Sequence, residues 1–211
     1  MADAALTFYT HPMSRGRVAR WMLEETGLPY DTVLLEYGTT MKAPDYLAIN
    51  PMGKVPAIRH GDTVVTENTA IALYLADLVP DKKLAPPVGS PARGSYYRWI
   101  SLLNPLEQLM MAKHAGQLGN PMSAGYGTEA DLLGTLEGAI GDRDHLVGDD
   151  FTAADLLVAA YLGWYLQFKM LEPREAFVRF AGLHRGRPAA KRANEIDDAL
   201  IAQQKAATGE S

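Results

Sequence analysis

The chain has 211 residues, 47% of them apolar and 21% charged, with a net charge of −5 and no cysteine. That length holds one large domain or two small ones. The absent cysteine excludes disulfides, thiolate metal sites and CxxC redox pairs, the acidic balance argues against nucleic acid as a partner, and no apolar run is long enough to span a membrane. The first residues lack the basic start and apolar core of a signal peptide, so a cytoplasmic location is expected.

Leu6–Tyr9 alternates and predicts a first strand, ended by His11-Pro12. Ser14 opens a helix over Arg15–Thr26, with Val18, Trp21 and Met22 on one face. Gly27 stops it and Leu28-Pro29 prevents continuation. Arg15, Arg17 and Arg20 crowd the first half of this helix, against its dipole. They are either solvated, or paired with Glu24 at helical spacing, or a source of positive potential for an anion. Asp31–Glu36 predicts a second strand, and 37–45 a loop.

The next stretch, Asn50–Leu78, organises the chain. Pro51, Gly53 and Pro56 turn the backbone sharply into an apolar run, Val55–Ile58. His60-Gly61-Asp62 is a tight-turn signal, and Thr63–Val65 is the returning strand. Asn68 and Thr69 are then expected N-caps for an apolar helix, Ala70–Val79. A strand that feeds directly into a helix gathers unpaired N–H groups at the positive helix end, which suits a carboxylate. Glu67 stands beside that end. An acid next to an anion-binding end can grip a zwitterion, with its ammonium on Glu67 and its carboxylate on the helix. Pro56 cannot donate to a sheet ladder, so it belongs at a strand start or edge. A cis Val55–Pro56 bond would present the Val55 backbone to a peptide-like ligand; since only about 5% of X-Pro bonds are cis, the isomer stays open.

Pro80–Pro91 reads as a linker, after which the pattern turns all-helical. Ala92–His114 predicts one long helix kinked at Asn104-Pro105. A connection over Gly116–Gly127 leads to a capped helix that starts at Thr128 and reaches about Asp142. Phe151-Thr152-Ala-Ala-Asp155 is a second capping-box signature, with Phe151 as a staple. The following helix, Leu156–Met170, is apolar almost all round and so should be the buried centre of its domain. Pro173–Arg187 and Pro188–Gln203 predict two last helices, with a frayed tail after Lys205.

The block NPMGKVP, followed by a hairpin and TEN, resembles the glutathione-binding half of a glutathione transferase, and FTAAD resembles the capping box of that family's central helix. The resemblance implies a thioredoxin-like α/β domain over residues 1–80 and an all-α domain over 92–211 that contributes the electrophile site. It implies that glutathione is the co-substrate, with no metal. Its cysteinyl unit would pair with Val55 ahead of Pro56, and its γ-glutamyl end would sit on Glu67 and Asn68. Asn68 stands where serine is usual. Lys42, and less so Lys54, would reach the glycyl carboxylate. Ser14 is similar in placement to the nucleophile-activating serine of serine-type members. Tyr9, at the end of the first strand, resembles the hydroxyl of tyrosine-type members. Ser14 ranks first because a helix start adds its dipole to the hydroxyl. A free thiol titrates near 8.5, and a donated hydrogen bond favours its thiolate. His11 reads as a loop residue.

Met13, Tyr97, Met110, Met111 and Trp164 are the expected electrophile-site residues. The implied activity is conjugation of the glutathione thiolate to small hydrophobic electrophiles, a detoxification reaction, by a homodimer. Glutathione-dependent peroxidase, isomerase or ether-cleaving chemistry stays open on the same fold, as does a non-catalytic interaction module.

Overall fold

The computed structural model describes residues 5–208. The chain divides into two compact units, one holding the stretch up to Val79 together with everything from Pro188 on, the other Pro80–Arg187. The last helix therefore joins the first unit, whereas the sequence boundaries placed it with residues 92–211.

The first unit is built on a four-stranded sheet of order β2-β1-β3-β4, with β1 Leu6–Thr10, β2 Tyr30–Leu34, β3 Ala57–His60 and β4 Thr63–Thr66. β1 and β2 run parallel, and β3 lies antiparallel to both β1 and β4. A parallel pair needs a crossover, and α1 (Gly16–Thr26) supplies it. Val18, Trp21, Met22 and Leu23 of α1 are buried, and Gly27 ends the helix at φ 68, its N–H on the Leu23 carbonyl at 3.1 Å. The expected hairpin forms, with Gly61 at φ 59 in the first position of a two-residue turn. The short α2 (Pro44–Leu47) precedes β3, and α3 (Asn68–Leu78) follows β4. This is the β-α-β, β-β-α order of a thioredoxin-like domain.

Successive residues of β1 face opposite sides of the sheet. Phe8 lies under α1, with the Arg20 guanidinium 5.1 Å from its ring centre. Tyr9 faces the other way, into a cluster with Leu35, Met41, Tyr46 and Ala57.

The second unit is helical: α4 Pro91–Ser101, α5 Leu103–His114, α6 Glu129–Ile140, α7 Ala153–Gln167 and α8 Glu175–Arg185. The single long helix expected over 92–114 is two helices that part at Leu102. Pro105 has no N–H for the Ser101 carbonyl one turn back, and its ring crowds that same carbonyl, so the interruption falls upstream of the proline itself. α7 is buried along most of its length and packs on α4, α5 and α8. Its start is fixed by Asp155, whose Oδ2 accepts from the Thr152 N–H (2.8 Å) and hydroxyl (3.0 Å), while Oδ1 accepts from the Leu146 N–H at 2.7 Å. The expected capping box is therefore present, and its carboxylate also anchors the preceding loop.

Beside this box His184 is buried between Phe180 and Phe151, with ring centres 4.4 and 5.2 Å away, and its Nε2 meets the Asp144 carbonyl at 2.7 Å. Burial pushes the imidazole pKa down to about 4. Between there and the unfolded value near 6.5 the unfolded chain binds a proton that the folded chain does not. Stability is therefore complete above pH 6.5 and falls as the pH drops toward 4, by at most roughly 3 kcal/mol. Urea unfolding of the wild type at pH 7 and pH 4.5 should register this loss, and His184→Leu should flatten it. An equal pH slope in the variant would assign the loss to other groups.

The final helix, α9 (Pro188–Thr208), packs on α1. It runs beyond its expected end at Gln203 and continues past Lys205, where fraying was expected. Positions 209–211 lie outside the described residues.

Candidate functional site

The turn between β1 and α1 is held by its own polar groups. The Ser14 hydroxyl donates to the His11 carbonyl at 2.6 Å and accepts the Gly16 N–H at 2.9 Å. Ser14 thus occupies the mouth of α1, although Arg15 is the formal capping residue. Gly16 is required there: a Cβ would stand 2.0 Å from Thr10 Oγ1 and 2.9 Å from Ser14 Oγ. His11 lies in the loop after β1, as expected, and is only 3% exposed. Its Nδ1 accepts the Met13 N–H at 3.1 Å, which leaves the proton on Nε2, 3.4 Å from a Glu36 carboxylate oxygen. Glu36 in turn accepts from Gln204 of α9 at 2.8 Å. Tyr37 lays its ring 4.7 Å from that of His11. Sequence reasoning missed Glu36 and Tyr37, which come from the loop after β2 and carry no periodic signal.

The arginines of α1 are not explained by Glu24, which instead meets Arg192 and accepts from Tyr30. Arg17 donates to the Pro12 carbonyl at 2.7 Å and pairs with Asp198, and Arg20 pairs with Asp197.

The start of α3 lies against the Ser14 turn. Asn68 Nδ2 donates to the Arg15 carbonyl at 3.1 Å, while its Oδ1 is buried without a partner. Asn68 is the first helical residue, not the cap. The capping position falls on Glu67, at φ 67 and ψ 126, and no side chain caps the helix. A non-glycine residue at positive φ costs on the order of 1–3 kcal/mol and is typically found where a ligand is gripped. The N–H groups of the first turn of α3 are thus left for an anion, beside an exposed carboxylate and an unpaired, buried amide oxygen.

The segment 50–56 is folded around Asn50, whose Oδ1 accepts the Met52 N–H at 3.1 Å and whose Nδ2 donates to the Lys54 carbonyl at 2.8 Å. Lys42 lies across Gly53, its ammonium on the Met52 carbonyl at 2.9 Å. The Val55–Pro56 bond is cis. Val55 lies outside the strand ladder, which begins at Ala57. Tyr9 is buried on the far face of the sheet from Phe8, its ring 5.6 Å from that of Tyr46.

Of the expected electrophile-site residues, Met13 lies in the first unit and is 63% exposed. In the second unit Tyr97 and Met111 are partly exposed, Met110 is fully enclosed, and Trp164 is half-buried against Tyr165 and Phe168. Among the described residues one group has metal-competent atoms close together, His145, Asp155 and His184, within 4.8 Å. The Asp155 carboxylate there is already taken up by its three hydrogen bonds at the start of α7.

Comparison with known proteins finds the model of the glutathione S-transferase N-terminal domain matching residues 13–78, and that of the C-terminal domain matching 126–183. Glutathione S-transferase GstA of Escherichia coli O157:H7 is 33% identical over 169 residues, covering 75% of this chain and 78% of the relative. Glutathione S-transferase 3 of Zea mays is 30% identical over 177 residues, covering 72% and 74%. Among solved structures, a glutathione transferase from Methylococcus capsulatus strain Bath superposes with a TM-score of 0.77 at 25% identity, over 92% of this chain and 100% of that one.

Proposed function

The chain belongs to the glutathione S-transferase family, and from that premise we propose how it works as a glutathione transferase. Glutathione is the co-substrate. Its γ-glutamyl end sits at the start of α3 beside Asn68, with the carboxylate on the uncapped N–H groups and the ammonium on Glu67. Its cysteinyl unit pairs with the Val55 backbone, and Lys42 meets the glycyl carboxylate. The sulfur then lies at the Ser14 turn, where a donated hydrogen bond and the positive end of α1 favour the thiolate. The thiol proton leaves to solvent, the thiolate forms a C–S bond with a small hydrophobic electrophile, and a leaving group such as chloride departs.

The observation that carries this reading is the Asn68–Arg15 bond at 3.1 Å, which sets an uncapped helix start beside a hydroxyl at a second helix start. The positive φ of Glu67 points the same way. Residues 1–80 form the glutathione-binding part of the proposal and 92–211 the part that meets the electrophile, with Met13, Met110, Met111 and Trp164 as the proposed electrophile-site residues. A cytoplasmic homodimer that detoxifies varied electrophiles completes it. Among the described residues no helix is long and apolar enough to cross a membrane.

Retention on immobilised glutathione together with turnover of chloro-dinitrobenzene tests the activity; retention without conjugation of any electrophile would make the chain a binding module. Glu67→Gln should raise the KM for glutathione about tenfold, the worth of one charge-assisted hydrogen bond, and leave kcat within about twofold. An unchanged KM would remove Glu67 from the site.

A further inference from the structure

The backbone and the side chain of Asn68 serve different neighbours. Its backbone N–H belongs to the uncapped first turn of α3, where the proposed carboxylate sits. The residue as a whole is only 8% exposed, and its Nδ2 donates to the Arg15 carbonyl at 3.1 Å. The amide cannot be reversed, because that would set Oδ1 against the carbonyl oxygen, acceptor against acceptor. Oδ1 therefore stays buried without a hydrogen bond, a costly state for a polar atom. A serine at this position would carry no such orphan. In the same rotamer, however, its hydroxyl stops one bond earlier and leaves the Arg15 carbonyl out of hydrogen-bond range. The reach of asparagine is what joins the two helix starts.

The join meets fixed backbone at both ends. On α3 the Glu67 carbonyl accepts the Ile71 N–H at 2.9 Å, so the Glu67–Asn68 peptide is held while Glu67 stays at φ 67. On α1 the Arg15 carbonyl accepts the Val18 N–H at 3.1 Å as well as the Asn68 amide, which fills both its lone pairs. Arg15 follows Ser14 directly, and the Ser14 hydroxyl is itself tied to His11 and Gly16. This side-chain bond thus holds the spacing between the N–H groups of α3 and the hydroxyl at the mouth of α1. A ligand anchored at the first presents its sulfur to the second only while that spacing holds. Misplacement by about 1 Å is enough to lose most of an oriented interaction.

We infer that the Asn68 side chain is a positioning residue for the reaction. It does not grip glutathione; it holds the γ-glutamyl anchor on α3 at the distance from Ser14 that puts the sulfur on the hydroxyl. The inference rests on the glutathione placement proposed above.

The test compares the wild type with Asn68→Ala and Asn68→Ser. Neither variant orphans the Arg15 carbonyl, which keeps the Val18 N–H, so both are expected to fold. Two quantities are read. One is the midpoint, against pH, of the thiolate absorbance of glutathione bound at saturation. The other is the Kd of S-methylglutathione, whose sulfur cannot ionise and which therefore reports the grip on the rest of the peptide. Both variants should raise the midpoint by about half a unit to one unit, a three- to tenfold loss of thiolate below it, and leave the S-methylglutathione Kd within about threefold. A Kd raised about tenfold or more with the midpoint unmoved would make the Asn68 side chain a binding group and overturn the inference, with the sulfur position left standing. A midpoint unmoved in both variants, or restored to the wild-type value by serine, would overturn it as well. A wild-type complex whose thiol titrates at its free value, or no binding at all, would overturn the sulfur position and this inference with it.

Discussion

Ser14→Ala is expected to lower kcat/KM for glutathione conjugation by about ten- to a hundredfold at neutral pH, while Tyr9→Phe leaves it within about twofold. Removing a hydrogen bond to a charged group costs roughly 1.5–3 kcal/mol, which is that range in rate when the charge is the nucleophile. The contrast with Tyr9 follows from the sheet. Tyr9 points to the face that carries Tyr46, Met41 and Ala57, and its hydroxyl is attached to a ring that phenylalanine replaces without loss of packing. Ser14 stands at the turn that Asn68 joins to the start of α3. Ser14→Thr, which keeps the hydroxyl, should recover a large part of the activity. Steady-state rates with chloro-dinitrobenzene, combined with the thiolate titration, separate the candidates. A loss in Tyr9→Phe as large as in Ser14→Ala would move the sulfur to the other face of the sheet.

What the sequence made legible was local. The Gly61-Asp62 hairpin, the Gly27 stop and the Thr152–Asp155 box each depend on residues within four positions of one another, and each is found in the structure. Glu67 was misjudged as a neighbour of the cap rather than the capping residue, because positive φ is signalled by glycine or asparagine and seldom by glutamate. The break in the helix over 92–114 came at Leu102 because proline acts on the carbonyl four residues behind it. The isomer of Val55–Pro56 has no signature in residue types. The partners of Arg17 and Arg20 were out of reach for a different reason. Asp198 and Asp197 lie about 180 positions away, and a single long-range ion pair leaves no periodicity in either helix. The same holds for His11, Glu36 and Tyr37, three loop side chains that meet only once the β1–α1 and β2–α2 connections lie side by side.

Asp197→Ala is the substitution expected to cost the most stability, about 3–5 kcal/mol. Arg20 Nε and Asp197 Oδ1 are 2.8 Å apart, and each side chain is only 1% exposed. Arg20 also reaches Tyr30 (3.2 Å) and Thr32 (3.4 Å) and covers Phe8, so its charge cannot swing out to water when its partner goes. Burial raises the Asp197 carboxyl above its ordinary range, with the Arg20 charge opposing that rise. The pair is therefore close to balanced between desolvation and attraction, as buried pairs commonly are, whereas a single remaining charge has only the desolvation. For a chain of this size the loss should lower the thermal midpoint by roughly 6–20 °C. Replacing both partners, Arg20→Met with Asp197→Leu, should recover most of it, since neither an unpaired charge nor a cavity is left. Equilibrium unfolding of the two singles and the double gives the coupling directly. Because α9 also reaches Glu36 through Gln204, the Asp197→Ala protein should lose glutathione conjugation on warming before it loses helical circular dichroism. Loss of both at one temperature would mean that α9 leaves α1 only when the whole first unit unfolds, and that the contact serves stability alone.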